Sequence, residues 1–347
     1  MSSSDDYTSS DDYTNHYALL IGTCSDKNGK YLPKFQATTN DVEWLAIVLG
    51  ACGFPPEKVK VLTGTDATRA DIIRALETIK KSIDSSEKPS TLVVFFSGHC
   101  RTIGNKATLI PCIISDSDEP TTADVIDGKF LVDQINLLYA DKVLIVLNTC
   151  HADAVIPKFD SNRIPLDHND QRLLKKFNNN GGTTVFSATQ ASETAMTAHA
   201  VKGTSKRYSP FTIAFGRALT GTGKKKPEHT NLILTSEVIE QATAIVRKLT
   251  KDKQKPSFDY QGGNFPVGRY WIPPGTKILF LGNEDEIAVD IEDPNEQEEN
   301  LATSAMPSNG QVTTATYNGP VNAKHSVLGN SNHYGSGTMT FNFTENN

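Results

Sequence analysis

Apolar residues in the first three quarters of this chain alternate between two patterns. Short unbroken runs, such as Thr91-Leu-Val-Val-Phe-Phe-Ser-Gly98 and Lys142-Val-Leu-Ile-Val-Leu-Asn-Thr149, are rich in β-branched and aromatic residues and lack polar alternation. Parallel strands read this way when helices cover both of their faces. Between the runs lie segments with apolar residues at helical spacing. The pattern predicts strands over residues 16–22, 59–62, 90–96, 108–114, 142–147 and 183–187. It predicts helices over 41–52 (with Asn40 as cap), 68–83, 128–139, 211–219 and 236–249. Thr68-Arg-Ala-Asp71 opens the second helix in the manner of a capping box, with Asp in place of the stronger Glu. Strands alternating with helices define an α/β fold, an α/β/α sandwich with a mostly parallel central sheet and right-handed crossovers.

The pattern stops at both ends. Residues 1–15 are polar and hold two copies of Ser-Ser-Asp-Asp-Tyr-Thr. They read as a disordered segment, neither a signal peptide nor a membrane anchor. After Trp271-Ile-Pro-Pro274 the composition changes, so the folded unit is expected to span 16–275. Residues 283–302 are densely acidic and read as a linker, and 303–347 form a tail rich in Asn, Gly, Ser and Thr that cannot build its own core. Within it Thr338-Met-Thr-Phe-Asn-Phe-Thr344 alternates as a strand does. Val327-Leu-Gly-Asn-Ser-Asn-His333 resembles the Val/Ile-x-Gly-x-x-Asn cores of amyloid signalling motifs. Three readings of the tail stay open: a flexible tail, self-association through residues 325–344, and a small β cap on the domain.

Charge and cysteine usage narrow the function classes. The net charge is −6, which is not the footprint of a nucleic-acid binder, and Lys224-Lys-Lys226 reads as a solvated loop. No run reaches the eighteen apolar residues of a membrane span. The five cysteines are odd in number and scattered, which suits free thiols in the cytoplasm.

The chemistry sits where two of the strands end. One runs into His99 and the other into Cys150. In open α/β sheets the working groups gather at the carboxyl ends of strands. If the two strands are neighbours, an imidazole and a thiol meet there, the minimum equipment of a thiol hydrolase. His99-Cys100 and Cys150-His151 also form a candidate zinc set. Adjacent residues on a strand point to opposite faces, however, which opposes convergence on one ion, and no metal site is assigned.

His16-Tyr-Ala-Leu-Leu-Ile-Gly22, Thr39-Asn-Asp41, Phe95-Phe-Ser-Gly-His99, Leu147-Asn-Thr-Cys-His151, Phe186-Ser-Ala188 and Ser209-Pro-Phe-Thr212 occur in the order of one family. On these residues the chain resembles the metacaspase-type caspase-like cysteine peptidases of clan CD, peptidase family C14. The spacing of about fifty residues between His and Cys agrees. The resemblance implies a cysteine endopeptidase acting on proteins or peptides, with His99 as base and Cys150 as nucleophile. It implies an oxyanion hole made by the backbone N–H groups of Cys100 and Cys150, although the family usually has glycine where Cys100 stands. Two acids bind a basic P1 residue in the family. Asp41 matches the first, at the start of the first helix, while Asn148 occupies the second position. A single carboxylate still favours cleavage after Arg or Lys. Cleavage after Asp would require arginines in the pocket, and none sits near the matching positions, although Arg101 follows the histidine corner and could intrude. The chemistry itself requires no cofactor. Calcium activation is a family trait, and Asp116, Asp118, Glu119, Asp124 and Asp127 cluster between the two strands, but their spacing is that of a solvated acidic loop and no ligands are assigned. The alternative is a catalytically weak or inactive caspase-fold scaffold whose tail mediates assembly; Cys100 and Asn148 favour it.

Overall fold

A computed structural model describes residues 15–23, 36–103, 106–113, 120–150, 152, 155, 182–190, 195, 199–200, 206–221, 231–260, 264–270, 311–320 and 336–345. The central sheet is built from β1 (His16–Gly22), β2 (Val59–Thr63), β3 (Thr91–Ser97), β7 (Lys142–Asn148), β8 (Gly182–Ser187) and β12 (Ser257–Tyr260). Their spatial order is β12-β8-β7-β3-β1-β2. All pairs are parallel except β12 on β8. The two chemistry-bearing strands are therefore direct neighbours, and Thr91 is level with Lys142 at one end and Ser97 with Asn148 at the other.

Five helices flank the sheet among the described residues. On one side lie α1 (Gln36–Ala51), α4 (Pro210–Leu219) and α5 (Thr235–Leu249); on the other lie α2 (Arg69–Asp84) and α3 (Gly128–Asn136). Alternate strand residues divide between the two layers. Ala18, Leu20, Val93, Phe95, Leu144, Val146 and Phe186 pack with α1, α4 and α5. Leu19, Ile21, Leu92, Val94, Phe96, Ile145 and Leu147 pack with α2 and α3. Both faces of each central strand are dry, which is why the runs showed no polar alternation. Phe186 and Phe211 rings lie 4.8 Å apart, and Phe95 stacks on Phe215 at 6.2 Å, fixing α4 to the sheet. α1 crosses α4 closely at Gly216, where any Cβ would sit 2.3 Å from the Trp44 ring.

Helix starts mostly follow local chemistry. Thr68 caps α2 by accepting from Asp71 N at 3.1 Å, and its hydroxyl donates to the Asp71 carboxylate at 2.5 Å. The shorter acid meets the hydroxyl in place of the backbone N–H that a glutamate would reach. Asp127 caps α3 by accepting from Phe130 N at 2.7 Å. The expected start of the first helix needs correction. α1 begins at Gln36, so Asn40 is not its cap and Asp41 lies in its second turn. Tertiary bonds hold the added turn: Thr38 Oγ1 donates to Thr23 O at 2.9 Å, and Asn40 Nδ2 donates to Arg207 O at 3.0 Å. α3 ends at Asn136, short of the expected Tyr139, which takes a left-handed φ of 54°.

A smaller antiparallel sheet follows β3. It comprises β4 (His99–Ile103), β5 (Lys106–Ile110) and β6 (Ile126–Asp127). The chain after His99 is thus a strand, and the extended piece expected over 108–114 starts earlier and ends at Ile110. Two further pairs are β9 (His199–Ala200) with β10 (Arg207–Tyr208), and β11 (Leu232–Leu234) with β13 (Pro266–Arg269). In the tail, β14 (Gln311–Pro320) pairs antiparallel with β15 (Ser336–Glu345), the second of which contains the alternating segment. Residues 325–335 and the acidic linker lie outside the described residues, as do 1–14.

Candidate active site

Two sheet strands deliver the candidate dyad to one edge. Ser97 and Asn148 are register partners, and Gly98 N donates to Asn148 O at 3.2 Å, so the ladder runs past the strand ends. His99 and Cys150 each stand two residues beyond that last pair, on strands that such ladders hold about 4.8 Å apart. Gly98 is required by crowding: a Cβ there would lie 2.0 Å from Thr23 Oγ1 and 3.1 Å from the Phe96 ring. Thr23 N in turn donates to Ser97 O at 2.9 Å, drawing the end of β1 against this corner.

His99, Cys100 and Cys150 are all half-buried. Burial pushes the Cys150 thiol above its ordinary pKa, while the backbone N–H groups of Ala195 and of Cys150 itself pull it back. The resting sulfur is therefore mostly a thiol, and it needs a base. Cys100 is pushed up to about 11, first by burial and then by the neighbouring charge of Cys150, with the Thr108 backbone opposing. That interaction puts the two sulfurs within electrostatic reach. Cys100 keeps its proton at neutral pH, and its backbone follows the histidine on β4. Cys52, Cys100, Cys112 and Cys150 are free.

Behind the dyad lies a buried polar cluster joining four elements. Asp41 of α1 is fully buried, as are Ser97 of β3, Asn148 of β7, and Ser209 and Thr212 at the start of α4. Asp41 Oδ2 accepts from the Ser97 hydroxyl at 2.9 Å and from the Ser209 hydroxyl, while Oδ1 accepts from Ser209 N at 2.9 Å. Asn148 Nδ2 donates to Ser209 Oγ at 2.8 Å and Ser97 Oγ at 3.0 Å, and lies 3.3 Å from both Asp41 Oδ2 and Thr212 Oγ1. The order of donation is consistent throughout: the amide gives its two protons to the hydroxyls, and the hydroxyls give theirs to the carboxylate. Burial raises the Asp41 pKa to about 6, against the lowering effect of the Ser209, Ser97 and Thr212 hydrogen bonds.

The structure thus brings Asp41 and Asn148 together. It adds Ser209, whose place in the cluster sequence reasoning missed. A serine before Pro210 reads as a helix N-cap, yet Ser209 makes no capping bond to its own helix and turns its hydroxyl to Asp41. Arg101 is exposed on β4. His151 and residues 157–180 and 202–205 lie outside the described residues.

Among the described residues, no three His, Cys, Asp or Glu side chains gather to hold a metal ion. Two of the five clustered acids are engaged locally. Asp124 accepts from Thr121 N at 3.0 Å and Thr121 Oγ1 at 2.6 Å, and Asp127 joins its capping bond to an ion pair with Lys106 at 3.2 Å. Asp116, Asp118 and Glu119 lie outside the described residues. A cavity of about 480 Å³ lined by Arg69, Lys106, Asp127 and Phe130 opens near the far end of β4, and its lining includes no member of the dyad or of the Asp41 cluster. No described helix is long and apolar enough to cross a membrane.

Residues 15–262 match the caspase domain family. The chain belongs to that family, whose members are cysteine peptidases. No curated protein matches it. Among solved structures, a protein of Geobacter sulfurreducens is similar at 17% identity and a TM-score of 0.44, covering 75% of this chain and 98% of its own. Caspase-1 of Spodoptera frugiperda is similar at 14% identity and a TM-score of 0.46, covering 78% of this chain and 96% of its own.

Proposed function

We propose that the chain is a metacaspase-type cysteine endopeptidase of the cytoplasm that cuts after a basic residue. The observation that carries this reading is the Ser97–Asn148 register, from which His99 and Cys150 follow at the same height. Cys150 Sγ attacks the scissile carbonyl carbon as its proton passes to His99. The oxyanion takes hydrogen bonds from the N–H groups of Cys100 and Cys150. The C–N bond breaks, the amine leaves with the proton from His99, and a thioester remains on Cys150. Water, deprotonated by the same imidazole, then releases the acid and restores the thiol. Asp41 supplies the negative charge that favours Arg or Lys at P1. Calcium activation enters this reading as a condition of the assay.

A second reading has its own support. Cys100 in a glycine position and Asn148 in an acid position suit a caspase-fold scaffold, and the β14–β15 pair offers strand edges for self-association. Hydrolysis of fluorogenic P1 Arg and Lys peptides, with and without calcium and beside Cys150→Ala, separates the two. Cleavage that vanishes in Cys150→Ala supports the peptidase. Equal release by both proteins, or none under either condition, supports the scaffold.

A further inference from the structure

Thr189 follows β8, is fully buried, and grips the turn that carries Cys150 from both sides. Its hydroxyl donates to Thr149 O at 3.1 Å and accepts from Ala152 N at 3.2 Å. The sheet holds Thr189 in turn. Ala188 N donates to Leu147 O at 2.8 Å, and Ala188 O accepts from Nε2 of the fully buried Gln254 at 3.0 Å. The Thr149 C=O and the Cys150 N–H belong to one peptide unit. That unit is planar and trans, so the two bonds point in opposite directions. Fixing the carbonyl toward Thr189 therefore aims the N–H away from it. There the N–H meets the Cys150 sulfur, whose pKa burial raises and this N–H lowers.

We propose that Thr189 is a positioning residue for catalysis, which by pinning the Thr149 carbonyl aims the Cys150 N–H at the oxyanion of the reaction. This rests on the reading of the chain as a cysteine peptidase with that N–H in its oxyanion hole. A donor aimed in advance stabilises the developing charge without reorganising at the moment of reaction. Removing the hydroxyl takes this partner from Thr149 O and Ala152 N, two backbone groups in a dry place, and such groups find others. The peptide between residues 149 and 150 then turns. Rotation of that unit about its Cα–Cα axis swings the N–H off the oxyanion. It leaves both Cα atoms in place, and with them the Cys150 side chain. The hydroxyl therefore serves the oxyanion and not the nucleophilicity of the sulfur.

The test compares the full chain with Thr189→Val, which keeps the shape and removes the hydroxyl, and with Thr189→Ser, which keeps the hydroxyl. Three quantities are read: kcat and KM on a basic P1 peptide, inhibition by the matching peptide aldehyde, and the rate at which iodoacetamide alkylates Cys150. The aldehyde carbon bonds to Cys150 Sγ and its oxygen takes up the thiol proton, so the hemithioacetal oxygen lies in the oxyanion hole. Alkylation forms an S–C bond as iodide leaves and makes no oxyanion. In Thr189→Val, kcat should fall about tenfold, part of the roughly 10²–10³-fold worth of a whole oxyanion donor, with KM nearly unchanged. The aldehyde should bind more weakly by a similar factor, and alkylation should keep its wild-type rate. Thr189→Ser should match the wild type in all three. Wild-type kcat in folded Thr189→Val overturns the proposal. So does a parallel loss of turnover and alkylation, which would assign the hydroxyl to holding the sulfur. A Thr189→Ser that loses turnover overturns it whether or not Thr189→Val folds, because the hydroxyl is then not the group that matters. A wild type without Cys150-dependent turnover overturns the peptidase reading, and the proposal with it; that failure shows in the wild type and not in the variants.

Discussion

Ser97 and Asn148 face each other across β3 and β7, and the Asn148 amide donates to the Ser97 hydroxyl at 3.0 Å. The last register pair of the two strands is thus also part of the buried polar cluster. One residue pair sets both the height of His99 and Cys150 and the polarity of the cluster behind them. An acid at 148 would reverse that polarity. It would require protons from Ser97 and Ser209, which already give theirs to Asp41, and would place a second carboxylate about where Nδ2 lies 3.3 Å from Asp41.

Asn148→Asp is therefore expected to destabilise the fold at pH 7 by about 2–3 kcal/mol, the cost of a buried acid without donors. Like charges at this distance share a proton, so the loss should shrink as the pH falls. Urea unfolding at pH 7 and pH 5 measures it. A variant as stable as the wild type at pH 7 would mean that the hydroxyls reorient freely and that the donation order is not fixed.

Asp41 also gives stability a pH dependence of unusual sign. Its folded pKa of about 6 lies above the ordinary 3.8, mainly through burial. Between these values the folded chain binds more protons than the unfolded chain, so stability falls as the pH rises. The stabilising effect is complete below about pH 3.8 and is lost by about pH 6, amounting to roughly 3 kcal/mol from a shift of about two units. Two other ionisable groups lie close. Tyr208 is pushed up by burial and then by the charges of Asp41 and Glu43, and Glu43 pairs with Lys206 at 3.4 Å. Asp41→Asn should flatten the slope between pH 4 and 6, read as the difference in urea midpoint from wild type. On a basic P1 peptide it should lower kcat/KM by about 1.5–3 kcal/mol of transition-state stabilisation at pH 7. An unchanged slope in the variant would remove Asp41 as the titrating group.

Much of the fold was legible because its signals are local. Unbroken apolar runs such as 91–97 and 142–148 identify strands buried on both faces, and the reactive residues at their ends follow directly. Features made by distant contacts were not legible. The first turn of α1, Gln36-Ala-Thr-Thr-Asn40, has no apolar periodicity and is held by bonds to Thr23 and Arg207. The Ser209–Asp41 contact joins residues 168 positions apart, and no local pattern signals it. The β4–β5 hairpin was a different kind of miss. Gly104-Asn105 between short extended runs is a hairpin signal, but polar, half-exposed His99-Cys-Arg-Thr-Ile103 did not read as a strand.

Cys100 tests whether the backbone or the side chain of that position matters. Cys100→Gly retains the N–H and should keep or raise activity, while costing about 0.5–1 kcal/mol for glycine within β4. Cys150→Ala and His99→Ala should each abolish turnover, since neither leaves a complete route for the proton. Initial rates on a basic P1 peptide and thermal unfolding of all three variants measure both effects. If Cys100→Gly is dead while Cys150→Ala is active, the nucleophile has been assigned to the wrong sulfur.

Self-cleavage should fall in the polar segments on either side of β8. Residues 157–180 offer Arg163, Arg172, Lys175 and Lys176 among Asn, Asp and Gly, and 202–207 offer Lys202, Lys206 and Arg207 just before α4. Exposed segments of this composition are preferred nicking sites. A cut in either leaves the β7–β8 and β12–β8 pairs joined by backbone hydrogen bonds, so the sheet survives. A cut near 206 would also free the strand leading into Ser209, and with it the contacts that hold Asp41. Because both dyad residues precede these segments, the N-terminal fragment should retain His99 and Cys150. N-terminal sequencing of fragments from wild type, beside Cys150→Ala, identifies the bonds. The expected new termini follow Lys or Arg and are missing in the variant. Termini that follow acidic residues, or the same fragments in Cys150→Ala, would assign the cutting to another protease.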